Sequence, residues 1–321
     1  MEIEFAKGHG TRNDFVVILD PEDRIGISPD QVRFLCDRRG GIGADGILRL
    51  VRSGRGWDGQ APVDTDWFMD YRNADGSTAE MCGNGLRVAL RYLAEEGAIG
   101  MRGSTRVATR AGTRTGRFTP DGQVAVGMGR PVIGATVEIA LGRRSWPATA
   151  VDLGNPHAVV ELADAAELAS LDLGEAPRWS PPGAFPDGVN VEFVLRRAPG
   201  NLKLRVHERG VGETESCGTG VVAAAVAAGG AERVAVEVPG GHLTVELGGA
   251  EAVLIGPAII VARGRIKLPH RRARRGARAR GAGRPAGHAA AARSRRKPLT
   301  ACFHPSRTAI LRGHHDPGPQ R

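Results

Sequence analysis

The sequence NADGSTAEMCGNGLRVALRYLA at residues 73–94 has a counterpart, ERGVGETESCGTGVVAAAVAA, at residues 208–228. In each, a polar loop leads to a cysteine that opens a CGxG tetrapeptide, and a run with the composition of a helix follows. The cysteines are Cys82 and Cys217, and Gly97 and Gly229 follow the two runs where glycine commonly ends a helix. The pattern predicts two helices that each begin just after a cysteine.

The similarity between the two stretches continues on both sides of them. A polar turn enters an apolar strand at Asn13 and again at Asn155, and the loop GADG at 43–46 corresponds to GVN at 188–190. Both halves finish with a Gly-Pro corner, at 129–131 and at 256–257. Landmarks that recur in the same order indicate an internal duplication, although glycine-rich turns can also resemble one another by chance.

We therefore expect an α/β fold with two similar, pseudo-symmetric domains. Each would consist of a curved, mostly antiparallel β-sheet wrapped around a central helix. The boundaries would lie at about 1–132 for the domain that carries Cys82 and 133–268 for the domain that carries Cys217. Residues 269–321 would form a separate tail.

The net charge of +9 is unevenly distributed along the chain. Residues 269–321 carry 13 Arg and one Lys against one acid, a charge of +13, so residues 1–268 carry 9 − 13 = −4. The tail is rich in Arg, Ala, Gly and Pro, a composition typical of disorder. We do not expect the globular part to bind nucleic acid, and only the tail could contact it.

The chain has neither a signal segment at its start nor an apolar run of the ~20 residues that span a bilayer. We expect a cytoplasmic protein that does not enter membranes. The four cysteines, Cys36, Cys82, Cys217 and Cys302, form no CxxC pair and no cluster with zinc spacing. We therefore expect no metal site, a packed core thiol at Cys36 and an ordinary exposed thiol at Cys302.

A cysteine at the start of a helix meets unpaired backbone N–H groups and the positive end of the helix dipole. Both favour the thiolate, so we expect lowered pKa values at Cys82 and Cys217. Two such sites facing one ligand could invert a carbon centre, because one thiolate removes a proton and the other thiol returns one to the opposite face. The adjacent glycines allow a carboxylate to approach the backbone N–H groups.

The motifs that surround these cysteines closely resemble those of the diaminopimelate epimerase family. They are HGTRNDF at 9–15, GIGADG at 41–46, NADGS through CGNG at 73–85, GNPH at 154–157, VNVE at 189–192, and ERG through CGTG at 208–220. The resemblance covers about residues 3–265. It implies conversion of LL- to meso-2,6-diaminopimelate for lysine and peptidoglycan synthesis, without pyridoxal phosphate or any other cofactor, by a cytoplasmic homodimer.

The resemblance also implies the residues of the site. Cys82 and Cys217 would be the catalytic pair, and His157 would tune the thiols. The substrate-binding residues would be Asn13, Asn73, Gly83, Asn84, Asn155, Asn190, Glu208, Arg209, Gly218 and Thr219. One position departs from the family, since Gly46 stands where some members have a ligand-contacting Gln.

Three other interpretations compete with this one. A proline or hydroxyproline racemase would use the same pair of thiols on a cyclic substrate. A non-catalytic relative or an isomerase of another metabolite should lack one cysteine, whereas both are present. A thiol redox protein is disfavoured because Cys82 and Cys217 are far apart in sequence and lack a CxxC motif.

Overall fold

A computed structural model describes residues 1–53 and 65–269 of the chain. The helices in these residues are α1 (Pro29–Cys36), α2 (Gly83–Glu95), α3 (Ala165–Ala169) and α4 (Gly218–Ala228), with a 3-10 turn at Pro182–Ala184. The strands of the first half are β1 (Glu2–Gly10), β2 (Asn13–Leu19), β3 (Gly46–Arg52), β4 (Trp67–Asn73), β5 (Ser104–Thr109), β6 (Gly112–Phe118) and β7 (Val124–Gly127).

The remaining strands follow in chain order and belong to one continuous hydrogen-bonded sheet with those of the first half. They are β8 (Val132–Leu141), β9 (Arg144–Asp152), β10 (Pro156–Leu162), β11 (Arg178–Ser180), β12 (Asn190–Ala198), β13 (Asn201–Glu208), β14 (Gly212–Thr214), β15 (Arg233–Val238), β16 (Gly241–Glu246), β17 (Val253–Gly256) and β18 (Ile259–Lys267).

The strands pair in the same pattern twice. In the first half, β18, β1, β2, β3, β4, β5, β6 and β7 are neighbours in that order, and the β2–β3 and β4–β5 pairs are parallel. In the second half, β8, β9, β10, β12, β13, β15, β16 and β17 follow the same order, with parallel pairs at β10–β12 and β13–β15. The other pairs in both series are antiparallel.

The expected fold class is confirmed: the protein is α/β, with two similar domains whose curled sheets are not closed. Helices α2 and α4 occupy corresponding places, one against each set of strands. Their apolar side chains, among them Leu86, Leu90 and Val222, share one buried cluster. Gly97 and Gly229 follow these helices with positive φ angles, which glycine adopts readily.

In the described residues, two strand pairs connect the halves. The last strand, β18, lies antiparallel to β1, so the chain returns to the first set of strands after completing the second. Strand β17 lies antiparallel to β7. The pairing of β18 explains why the first half has a complete set of strands only when the end of the second half is present.

In residues 1–53 and 65–269, no helix is long and apolar enough to cross a membrane. The tail predicted at 269–321 lies outside the described residues except for Pro269, whose carbonyl oxygen accepts a hydrogen bond from Gln31 Nε2 at 2.9 Å. Leu268 is buried in a core cluster with residues of α1.

Truncation after Ala258 should destabilise the protein strongly, because it removes β18 and leaves the edge of β1 unpaired. Losing Leu268 and this strand should cost several kcal/mol, which corresponds to a fall in Tm of about 10 °C or more. Truncation after Pro269 is the control and should leave Tm within about 2 °C. Equal Tm values for the two truncated proteins, measured by circular dichroism, would show that β18 is dispensable.

Candidate active site

The two cysteines predicted to begin helices do so. Cys82 immediately precedes α2, and its sulfur accepts a hydrogen bond from the Gly85 N–H at 3.3 Å. Cys217 immediately precedes α4, and its sulfur accepts from the Gly220 N–H at 3.4 Å. Cys82 is partly exposed, Cys217 is buried, and both are free thiols. The two halves therefore present the same thiol-and-helix arrangement.

The two helix starts touch one another across the boundary between the halves. Asn84 Nδ2 donates to the carbonyl oxygen of Ser216, the residue before Cys217, at 3.0 Å. A Cβ atom built on Gly218 would lie 3.3 Å from Asn84 Oδ1, so a larger residue there would press against the opposite loop. Gly218 thus permits the close approach of the two helix starts.

The pKa values of these thiols differ from the expectation. Burial raises the pKa of Cys82 to about 11, and the Gly85 N–H only partly offsets this effect. Burial also raises the pKa of Cys217 well above its usual value, as do the nearby carboxylates of Glu208 and Glu192. The prediction of lowered pKa values is wrong for the free protein, because loss of solvation outweighs the helix-start hydrogen bonds. Both cysteines are thiols at neutral pH.

Asn13 lies beside Cys82. Its Oδ1 accepts from Cys82 Sγ at 3.7 Å and from Asn84 Nδ2 at 3.3 Å, while its Nδ2 donates to Asp45 Oδ2 at 2.8 Å. Asn73 ends β4 opposite Gly46 and donates through Nδ2 to Ser77 Oγ at 3.0 Å. These contacts place Asn13 next to the Cys82 thiol and Asn73 at the end of strand β4.

The predicted residues of the second half gather around Cys217. Asn155 Nδ2 donates to Thr219 Oγ1 at 3.2 Å, and this hydroxyl lies 3.5 Å from Cys217 Sγ. Because Asn155 supplies the hydrogen bond to the Thr219 oxygen, the hydroxyl hydrogen is free to point at sulfur. Asn190 bridges two loops, since its Nδ2 donates to Pro156 O at 3.1 Å and its Oδ1 accepts from the Arg209 N–H at 3.0 Å.

His157 is fully buried and pairs with Glu192, whose Oε1 lies 2.7 Å from His157 Nδ1. This pair packs beneath the first turn of α4, because a Cβ atom on Gly220 would lie 2.4 Å from Glu192 Oε1. Among the described residues, His157 Nε2 and Glu192 Oε2 have no hydrogen-bond partner. The pair therefore lies against the helix start that carries Cys217, and His157 donates no hydrogen bond through Nε2 to the thiol.

Glu208 and Arg209 follow one another but have different surroundings. Burial raises the pKa of Glu208, as does the neighbouring carboxylate of Glu192, and the Thr214 hydroxyl donates to it. Arg209 is exposed, and its Nη1 donates to Asp187 O at 3.3 Å. A shielded carboxylate and an accessible guanidinium are suited to an ammonium and a carboxylate group, respectively.

Tyr71 was not predicted and lies near ionisable groups of both halves. Burial raises its pKa well above 10.0, as do the neighbouring ionisable groups of Cys82, Glu208, Asp45 and Cys217. A Cβ atom on Gly46 would lie 2.8 Å from Tyr71 Cε2, so the tyrosine ring fills the space that a side chain at position 46 would need. The only sequence signal was the alternation of large side chains along β4.

Glu192 was also missed, although it occurs in the quoted VNVE motif. The signal in the sequence was an acidic residue two positions after Asn190 on an otherwise apolar strand, which places both side chains on the same face of that strand.

Within the ranges 1–53 and 65–269, no group of three or more His, Cys, Asp and Glu residues is arranged to hold a metal ion.

Comparison with known proteins relates the chain to one family. A family model described as diaminopimelate epimerase matches residues 5–134 and 149–261. The diaminopimelate epimerase of Streptomyces coelicolor is 49% identical over 276 residues, covering 82% of this chain and 94% of that protein. That of Thermobifida fusca is 47% identical over 275 residues, covering 83% and 98%. These matches extend over both halves and both cysteine loops.

Solved structures of lower identity share the fold. A Bacillus anthracis phenazine biosynthesis protein of the PhzF family has a TM-score of 0.59 at 14% identity, over 84% of this chain and all of that chain. An Agrobacterium vitis hydroxyproline epimerase with bound trans-4-hydroxy-L-proline has a TM-score of 0.56 at 12% identity, over 83% and 92%. At these identities the similarity concerns the fold alone.

The raised pKa of Cys82 can be tested by alkylation with iodoacetamide between pH 7 and 10, followed by mass spectrometry of the Cys82 peptide. Only the thiolate reacts, so a pKa of about 11 means that the rate should rise about tenfold per pH unit across this range. The denatured protein is the control, and its rate should level off above about pH 8.5. A rate for the folded protein that is already constant at pH 8 would contradict the assignment.

Proposed function

The chain belongs to the diaminopimelate epimerase family, a family of isomerases, and we propose that it converts LL-2,6-diaminopimelate to the meso form with Cys82 and Cys217 as its acid and base. The observation that carries this proposal is the contact between the two cysteine loops, in which Asn84 of one half binds Ser216 of the other. Two thiols at adjoining helix starts can address one carbon atom from opposite faces.

In the proposed mechanism one cysteine acts as a thiolate and removes the α-proton, while the other, as a thiol, donates a proton to the opposite face. Both are neutral in the free protein because burial raises their pKa values. A bound α-ammonium group would bring a positive charge next to the thiols and so favour the thiolate of one of them. The substrate would thus help to create the base that acts on it.

The substrate carboxylate next to the reacting carbon would bind the first turns of α2 and α4. Backbone N–H groups of Gly83, Asn84, Gly218 and Thr219 lie at the starts of these helices, where no residue of the same helix accepts their hydrogen bonds. These donors and the positive ends of two helix dipoles would stabilise the negative charge that develops on the carboxylate as the proton leaves.

The remaining predicted residues would bind the other polar groups of the substrate. Arg209 would hold a carboxylate with two parallel hydrogen bonds, and Glu208 would accept from an ammonium group. Asn13, Asn73, Asn155 and Asn190 can donate to carboxylates or accept from ammonium groups. His157 would act indirectly, by supporting with Glu192 the helix start that carries Cys217.

A proline or hydroxyproline racemase is the alternative function, since one neighbour in fold is a hydroxyproline epimerase. The polar groups favour the larger substrate, because diaminopimelate has two amino-acid ends. Glu208 and Arg209 add a half-buried carboxylate and an exposed guanidinium beyond what the two helix starts supply. A cyclic amino acid with one carboxylate has less need of them.

We further propose a cytoplasmic homodimer that uses no cofactor and serves lysine and peptidoglycan synthesis. Free thiols at Cys82 and Cys217 suit a reducing compartment. Val132 and Ile133 on β8 and Ile259 and Val261 on β18 are exposed and offer apolar surface that a second copy could cover. Domains at 1–132 and 133–268 are proposed as the two units of the duplication, with β18 exchanged into the first.

Replacement of either cysteine should abolish most of the activity. Cys82→Ala and Cys217→Ala should each lower kcat for LL-diaminopimelate at least ~100-fold, because each removes one of two required proton carriers. The double variant should be little slower than either single variant, since the residues act as a unit. Cys36→Ala is the matched control. Because Cys36 lies in a core cluster that contains neither Cys82 nor Cys217, this variant should retain kcat.

The same proteins should be assayed with proline and hydroxyproline by following optical rotation. Wild-type turnover of either substrate faster than of LL-diaminopimelate would contradict the proposed substrate. Near-normal turnover of LL-diaminopimelate by Cys82→Ala or Cys217→Ala would contradict the two-thiol mechanism.

A further inference from the structure

Four buried polar side chains join the halves where the two cysteine loops meet: Thr11, Asn84, Arg87 and Ser216. Arg87 Nη2 donates to Asn84 Oδ1 at 2.6 Å and to Thr11 Oγ1 at 3.2 Å. Thr11 Oγ1 and Ser216 Oγ are 2.8 Å apart, and Asn84 Nδ2 donates to Ser216 O at 3.0 Å. We call these four residues the clamp network, since three belong to the first half and Ser216 to the second.

Arg87 is the unusual member of the clamp network. It is fully buried, and within residues 1–53 and 65–269 it forms no ion pair with a carboxylate. Within the same residues, its Nε and Nη1 have no hydrogen-bond partner. A Cβ atom on Gly256 would lie 2.2 Å from Nη1, so glycine is required there to make room. Burying an uncompensated cation is costly, which argues that Arg87 has a role other than stabilising the fold.

The guanidinium determines how the amides of the site are oriented, because it can only donate hydrogen bonds. With Asn84 Oδ1 bound to Arg87, Asn84 Nδ2 must face acceptors, and it meets Ser216 O and Asn13 Oδ1. Asn13 Oδ1 in turn accepts from Cys82 Sγ. One buried cation therefore orients groups at Cys82 and next to Cys217.

The turn at Thr11 brings the backbones of the two halves into close contact. Thr11 and Arg12 form the two-residue turn between β1 and β2, with φ angles of 49° and 65°. A two-residue hairpin turn of type I′ requires positive φ at both central residues, a conformation that is rare for a β-branched residue. Here a Cβ atom on Gly240 of the second half would lie 2.0 Å from Thr11 O, so the two loops are in close contact.

We infer that Arg87 is a positioning residue, which through Asn84 and Thr11 holds the loop ending at Cys217 against the loop ending at Cys82. The consequence for catalysis rests on the proposed function. The attachment of the loop does not rest on the proposed function, because it is a property of the free protein. Without Arg87, Asn84 is free to turn, and the segment 212–217 loses its buried attachment to the first half, while the exposed Arg12–Glu215 ion pair at 3.3 Å remains.

The first test measures amide hydrogen exchange of the free protein by mass spectrometry. Arg87→Met removes the donors, and exchange over 212–217 should rise at least ~10-fold. Arg91→Met is the matched control on the same helix, where Arg91 binds Ala258 O at 3.3 Å and Gly122 O. It should leave exchange over 212–217 unchanged. Unchanged exchange in Arg87→Met, or an equal rise in both variants, would overturn the inference.

The second test measures kcat and KM with LL-diaminopimelate. A displacement of the thiols of about 1 Å should lower kcat ~100-fold in Arg87→Met with KM changed less than ~3-fold. Arg87→Lys should recover part of kcat because its ammonium can still donate to Asn84, and Arg91→Met should keep normal kcat. Normal kcat in Arg87→Met would overturn the inference. If the wild-type protein does not turn over this substrate, the proposed function fails and hydrogen exchange alone decides the role of Arg87.

Should Arg87→Met fail to fold, Thr11→Val removes the hydroxyl that joins Arg87 to Ser216 and keeps the side-chain shape. Exchange over 212–217 should rise in this variant as well. Exchange equal to that of the wild type in Thr11→Val would overturn the inference.

Discussion

The close approach of two helix starts is the constraint on which the rest of the structure depends. Helices α2 and α4 come from different halves, yet Asn84 in the first turn of one binds the residue before Cys217 at the other. Glycine at position 218 permits this distance, and the exchange of β18 and the β7–β17 pair hold the halves together around it. A duplication alone would give two separate thiol sites. The contact between Asn84 and Ser216 joins the two helix starts, so that both thiols can act on one substrate.

Burial affects both thiols in two ways that oppose each other. It raises their pKa values and so disfavours the thiolate that the chemistry needs, although each sulfur accepts a backbone hydrogen bond. The same exclusion of water strengthens the interaction of the site with charged groups of a bound substrate. The free protein therefore holds two neutral thiols, and the charged groups of the substrate would determine when one of them ionises.

The repeat could be predicted from the sequence because it depends on local signals: polar turns, CGxG and the runs after Cys82 and Cys217. The pairing of β18 with β1 could not be predicted from the sequence, because it joins strands more than 240 residues apart and no local signal marks it. Among the predicted residues, Asn13 lies beside Cys82, and Asn155 and Thr219 lie beside Cys217, whereas Tyr71, Glu192 and Arg87 were missed as site residues. Their roles depend on burial and on contacts between halves, as does the direction of the thiol pKa shifts.

Solvent isotope incorporation tests the central claim, that two opposed thiols exchange one proton each with the substrate. LL-diaminopimelate is incubated with the protein in D2O, and early samples are analysed by mass spectrometry after separation of the epimers. Because the donating thiol carries solvent deuterium, meso product should contain one deuterium at the inverted carbon while unreacted LL substrate remains unlabelled. Product that retains the original α-hydrogen would show that a single group removes and returns the proton, which contradicts the account.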